Sequence, residues 1–220
     1  MYFNFDKSNT FCISLQSRND RWEKIEKRFK LLNLDVTRVN AVCNENEIDG
    51  NYVYYLSLLQ KFCTQSHINI WKFIVNNNIP YALILEDDAC FDKNWKLKLD
   101  RFQLSVNNPY WEAIFLNASE ALTDDKLYKW VLADEQYLCG GYILSLLGAK
   151  NLLKMFNDCY YMSDWMTTRL QKNGNSYTYF PWLIIQEGNE STIGSNYNAD
   201  HLKVLDCLKK IDYSLDNYII

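Results

Sequence analysis

No apolar run in this chain approaches the roughly 20 residues needed to span a bilayer, and the polar start from Met1 to Asn9 has no signal-peptide core. Both absences lead to the expectation of a soluble, cytoplasmic protein. Its seven cysteines, Cys12, Cys43, Cys63, Cys90, Cys139, Cys159 and Cys207, are odd in number and show no CxxC or comparable metal-ligand spacing. Most lie inside apolar segments and read as small buried thiols in a reducing compartment. Basic charge is also short: the formal net charge is -4, so a nucleic acid is not expected as the main partner, because binding a polyanion requires a basic surface. With no internal repeat and no low-complexity linker, residues 1–220 read as one domain with a real core.

What is present centres on Ile79-Pro80-Tyr81-Ala82-Leu83-Ile84-Leu85-Glu86-Asp87-Asp88, an apolar run that ends in three consecutive carboxylates. Such a run after a proline reads as a fully buried strand of a parallel sheet, covered by helices on both faces. In open α/β sheets ligands bind outside the carboxyl ends of the strands, where Glu86, Asp87 and Asp88 emerge. Three like charges side by side require solvent, cationic partners or a metal ion. Oxygen ligands at a strand end suit Mg²⁺ or Mn²⁺, ions that usually accompany a phosphate. A solvated acidic turn is the other reading of the same three residues.

Around this strand the pattern alternates. Residues 10–15 form a first central strand, followed by a polar turn in which Asn19 or Asp20 can cap a helix over residues 20–33, with Trp22, Ile25, Phe29 and Leu32 at helical spacing. A second strand covers 36–39, and a long helix covers 56–75 with Ser66 and His67 in its middle. Residues 92–106 read as one helix capped by Asp92, 111–116 as a buried strand and 118–136 as an irregular acidic excursion. The strand-like run 136–145 contains Gly140 and Gly141, which weaken a strand unless the backbone bends or must approach a ligand. Helices follow over 146–156 and 162–172, a strand over 177–186, and a closing helix over 200–211. His201, the second of two histidines, reads as exposed.

Together these residues resemble glycosyltransferase family 25, which includes bacterial lipooligosaccharide β-galactosyltransferases and collagen galactosyltransferase domains. Its pattern is similar to Ser14-Leu15, Arg18 and Asn19-Asp20-Arg21; to Ser66-His67 with Trp71; and to the unbroken string from Pro80 to Asp88. It is similar further on to Gly140-Gly141-Tyr142, Gly148-Ala149-Lys150, Asp164-Trp165, the span from Pro181 to Gln186, and Ser191-Thr192-Ile193. The chain departs from the family at Phe62-Cys63-Thr64-Gln65 and at Thr192, where an acidic residue is frequent.

The resemblance implies an α/β, GT-A-like nucleotide-sugar-binding fold, a mixed central sheet flanked by helices, and a UDP-sugar donor. It implies an inverting, metal-dependent hexosyltransferase that moves galactose, or as second choice glucose, to a glycan, glycolipid or glycoprotein acceptor. Mn²⁺ or Mg²⁺ would be held by Glu86 and Asp88, with Asp87 on the ribose or a metal-bound water. Ser14, Leu15, Arg18, Arg21, His67, Gly140, Gly141, Gln186 and Ser191 are the implied donor-side residues. For Arg18 and Arg21 ordinary surface charge is the alternative, and for the two glycines a simple bulge. Asp164 is the implied general base, with Trp165 stacking on a sugar; a helix cap explains the same aspartate without catalysis. A lipid-linked acceptor would place the enzyme at the periphery of a membrane. A catalytically inactive relative that binds a glycan or a protein is the competing reading.

Overall fold

The computed structural model describes residues 3–119, 122, 124–188 and 197–220. In chain order the elements are β1 (Thr10–Ser14), α1 (Asn19–Leu32), β2 (Thr37–Asn40), α2 (Leu58–Asn76), β3 (Tyr81–Glu86), β4 (Ala89–Asp92), α3 (Trp95–Asp100), α4 (Phe102–Ser105) and β5 (Ala113–Phe115). They continue with β6 (Trp130–Leu132), β7 (Gly141–Ser145), α5 (Leu146–Met155), α6 (Ser163–Gln171), β8 (Ser176–Tyr179), β9 (Ile184–Gln186), α7 (Tyr197–Lys210) and β10 (Tyr218–Ile219).

A seven-stranded sheet runs in the order β2-β1-β3-β7-β5-β8-β6, and β10-β4-β9 form a smaller sheet. The large sheet is mixed. β1 is parallel to β2 and β3, whereas β7 lies antiparallel between β3 and β5. The central strand is thus parallel to its neighbour on one side only.

Ala82 to Leu85 are wholly buried, and alternate residues face opposite layers, as the two-residue period of a strand requires. Ala82 and Ile84 pack with Ile68, Trp71, Ile74, Leu152 and Met166 from α2, α5 and α6. Leu83 and Leu85 pack with Ile25, Phe29, Trp95, Leu99 and Phe102 from α1, α3 and α4. This two-sided burial is why the run carries no polar alternation. α2 starts in a capping box, Ser57 accepting from the Gln60 backbone while the Gln60 side chain accepts from the Ser57 N–H.

Several local expectations change. The residue preceding α1 is Arg18 and makes no side-chain cap; Asp20 pairs with Arg18 instead. Residues 92–106 are not one helix, because Ala89–Asp92 is drawn into the small sheet, where Asp92 is fully buried against Lys98 and the Tyr213 hydroxyl. The excursion over 118–136 contains β6, held by Trp130 packing on Phe102 and Tyr179. Residues 177–186 form two strands in different sheets, parted at Pro181, which has no N–H for a ladder. The seven cysteines are all free; Cys12, Cys90, Cys139 and Cys207 are buried, while Cys43 is exposed. Among the described residues no helix is long and apolar enough to cross a membrane.

Gly148 lies where α5 crosses the end of β5. A Cβ there would sit 2.3 Å from the Glu112 carbonyl oxygen, a backbone atom that cannot step aside cheaply. Gly148→Ala should therefore lower stability by about 1–3 kcal/mol, read from the urea unfolding midpoint. An unchanged midpoint would show that α5 shifts freely.

Candidate active site

The site is built where β1 and β3 end side by side. Their parallel register sets Ile13 opposite Glu86, so Ser14 and the loop to α1 lie next to the acidic triplet at the turn into β4. A cleft of about 210 Å³ opens there. Ser14, Leu15, Arg18, Arg21, Glu86, Asp87, Asp88 and Gln186 line it, and Ile13, Val42, Leu59 and Phe62 supply apolar wall.

Helix α1 supplies the charge that lets the carboxylates sit together. Arg21 Nη2 lies 2.6 Å from Asp87 Oδ1 and 3.0 Å from Asp88 Oδ2, and all three side chains are largely shielded from solvent. Burial pushes the Asp87 carboxyl above its ordinary value, opposed by Arg21 and by a hydrogen bond from Ser14. Gln186 Nε2, from β9, donates at 3.3 Å to Glu86 Oε2 and at 3.5 Å to Asp88 Oδ2. Arg18 is more exposed and forms a two-pronged pair with Asp20 at the rim.

Glu86 is approached from the other side by a buried relay. The Trp71 indole N–H donates to the Tyr142 hydroxyl oxygen at 2.8 Å, and that hydroxyl lies 3.0 Å from His67 Nδ1. His67 Nε2 is 3.2 Å from Glu86 Oε1. Because the indole can only donate, the phenol hydrogen is available to Nδ1, which leaves the histidine proton on Nε2 facing the carboxylate.

Other partners were not apparent from the sequence. Arg38 of β2 donates to the Leu15 carbonyl at 3.0 Å and to Ser14 Oγ at 3.3 Å, with its guanidinium 4.7 Å from the Trp22 ring centroid. It holds the loop between β1 and α1. Arg28 is buried and bonds Glu187 at 2.6 Å and the Ala89 carbonyl at 3.2 Å, while the Glu187 N–H donates to the Asp88 carbonyl at 2.9 Å. This ties the exit of β9 to the triplet. The sequence signal for the Arg28 contacts was the clustering of cations along α1, and Arg38, on β2, had none.

Gly140 and Gly141 do not line the cleft. A Cβ at Gly140 would lie 2.8 Å from Asn117 Oδ1 and 3.0 Å from Gln186 Cγ, and one at Gly141 2.5 Å from Ile184 Cδ1. The close approach they permit is that of β9, which brings in Gln186. Asp164 lies in the first turn of α6, but Met162 occupies the cap position, so the aspartate is not the cap. Burial pushes the Cys63 thiol up, with the Glu86 carboxylate and then that of Asp164 as smaller causes. Trp165 stacks on Tyr161 at 4.3 Å and has the Arg169 guanidinium 4.3 Å from its centroid, so its described ring contacts are within the chain. His201 is half-buried against Gly188 rather than exposed, and burial pulls its pKa down. Ser191, with Thr192 and Ile193, lies outside the described residues.

The fold and the cleft define a mixed α/β protein with an acidic ligand edge at the carboxyl ends of its parallel strands. Residues 7–167 match the model of Glycosyltransferase family 25 (LPS biosynthesis protein), and the chain belongs to that family. Procollagen galactosyltransferase 1-B of Xenopus laevis is 28% identical over 167 residues, covering 65% of this chain and 27% of the relative. Probable inactive glycosyltransferase 25 family member 3 of Bos taurus is 31% identical over 98 residues, covering 41% and 16%. The chain thus spans about a quarter, or less, of the length of these relatives. The crystal structure of a glycosyltransferase involved in the glycosylation of the major capsid of PBCV-1 aligns over 90% of this chain and 98% of its own, at 9% identity and a TM-score of 0.43.

Removing Arg21 strands two largely buried carboxylates. Arg21→Met should cost about 3–5 kcal/mol at neutral pH. The sign with pH follows from Asp87, whose folded pKa lies above its ordinary value of 3.8. The ionised form costs stability above the folded pKa, and that cost fades as pH falls toward 3.8. The gap in urea midpoint between variant and parent should therefore narrow on acidification from neutral pH; a constant gap would mean that Arg21 contributes packing alone.

Proposed function

We propose that this chain is an inverting hexosyltransferase that moves galactose, with glucose the second choice, from a UDP-sugar to a hydroxyl of a glycan, glycolipid or glycoprotein. The observation that carries the reading is the charge balance at the end of β3. Three carboxylates meet there, Arg21 pairs with two of them, Asp87 and Asp88, and a divalent cation would neutralise negative charge that this pairing leaves over. The oxygen donors of Glu86 and Asp88, with Asp87 and the Gln186 amide beside them, fit Mn²⁺ or Mg²⁺. Bound there, such an ion would supply Lewis-acid stabilisation of the leaving diphosphate.

The remaining roles fall to the chain. The apolar wall of Ile13, Val42, Leu59 and Phe62 suits a uracil ring, and Ser14 with the Leu15 backbone can meet the ribose. Arg18, at the rim, can exchange Asp20 for a phosphate, which a guanidinium grips in fixed geometry. Arg21 keeps Asp87 and Asp88 convergent, and the His67 relay holds Glu86. Asp164 would take the acceptor proton as the hydroxyl attacks the anomeric carbon. In this reading residues 1–220 act as one GT-A-like catalytic unit in the cytoplasm, peripheral to a membrane if the acceptor is lipid-linked.

An inactive, binding-only relative is the second reading, supported by the inactive designation of the Bos taurus protein. The intact triplet favours activity. The purified chain should slowly hydrolyse UDP-galactose or UDP-glucose in Mn²⁺, and Asp88→Ala should lower this at least about 100-fold. Asp164→Asn should lower transfer by about 100-fold or more while leaving UDP binding by calorimetry in place. No hydrolysis together with no metal-dependent UDP binding would favour the binding-only reading.

A further inference from the structure

We propose that Cys63, His67 and Glu86 form a three-ligand site for a borderline-soft divalent ion of the zinc class, on the α2 wall of the cleft. Cys63 and His67 are four residues apart on α2 and therefore project from one helix face. Glu86 meets them from the end of β3. The cysteine Sγ, a His67 ring nitrogen and a Glu86 carboxylate oxygen lie within 4.8 Å of one another. Zn–S and Zn–N bonds of about 2.3 and 2.0 Å need only small rotamer adjustments to close on a shared ion. His67 is wholly buried, whereas Cys63 and Glu86 both line the cleft, so a fourth coordination position opens toward solvent.

Two further features suit an ion. A metal-bound histidine is normally oriented by a hydrogen bond on its other nitrogen, and His67 Nδ1 has that partner in Tyr142, itself held by Trp71. The charges also close: one thiolate and one carboxylate balance one divalent cation. On binding, the Cys63 thiol proton leaves to solvent, the His67 proton moves from Nε2 to Nδ1, and the Tyr142 hydroxyl turns its own hydrogen away so that its oxygen accepts from Nδ1 as well as from Trp71. Sulfur and imidazole donors select zinc over Mn²⁺ or Mg²⁺. The site stands on these side chains whatever the cleft transfers. It also uses Glu86, so its occupant would compete with an oxygen-ligated ion for that carboxylate.

The test is a Co²⁺ titration of the whole chain, followed by Zn²⁺ displacement. One equivalent of Co²⁺ should produce a thiolate-to-cobalt absorption band that zinc removes. Cys63→Ser should abolish the band, Cys43→Ser, at the other cleft thiol, should retain it, and Tyr142→Phe should weaken binding by about 10- to 100-fold. Independently of any variant, zinc should protect Cys63 but not Cys43 from alkylation in the unaltered protein, read by mass spectrometry, and Mn²⁺ should protect neither. Absence of the band, its persistence in Cys63→Ser, or unprotected alkylation of Cys63 in zinc would overturn the site. None of these readouts depends on sugar transfer, so the two proposals can fail separately.

Discussion

The site depends on one electrostatic requirement: three consecutive carboxylates at the end of a buried strand must be balanced. Arg21 meets part of it from the first turns of α1, touching Asp87 and Asp88 together. That contact requires α1 to lie over the edge where β1 and β3 finish, and the parallel register of those strands puts it there. Breaking such a pair costs more than making it contributes, because the abandoned charges remain away from water. The arrangement is therefore a constraint on α1 more than a source of stability.

The second support comes from the opposite layer. Tyr142, on β7, is buried beneath α2 and carries a hydroxyl that Trp71 fixes and His67 shares. A polar chain in an apolar core is tolerable only when its members are satisfied, and here each link faces the next until it reaches Glu86. The two glycines before Tyr142 let β9 cross closely, and β9 delivers Gln186 between Glu86 and Asp88. Both layers and both sheets thus converge on the same carboxylates, which gives the cleft an acidic floor with directional partners.

Much of this was legible in the chain. A run of apolar residues closing on Glu86-Asp87-Asp88 announces both a buried strand and the edge where it ends, and the spacing of Trp22, Ile25 and Phe29 announces the covering helix. Short elements were harder. β4 and β6 have little pattern of their own and exist because β9 and β8 offer them ladders. Cys63 was read by its spacing to other cysteines, and its relation to His67 on one face of α2 gained meaning only when Glu86 arrived opposite.

The sequence alone determined the strands β1, β2, β3, β5 and β7 of the central layer, the family, and the residues gathered at the strand end, because local periodicity and the abrupt change from apolar to acidic are properties of neighbours in the chain. Only the tertiary structure decided which cation faces which carboxylate, that Gly140 and Gly141 serve the crossing of β9, and that Asp164 lies in the first turn of α6 without capping it. Those outcomes depend on strand register, on helix placement and on the directions of side chains distant in sequence, and none of them is encoded in a local pattern.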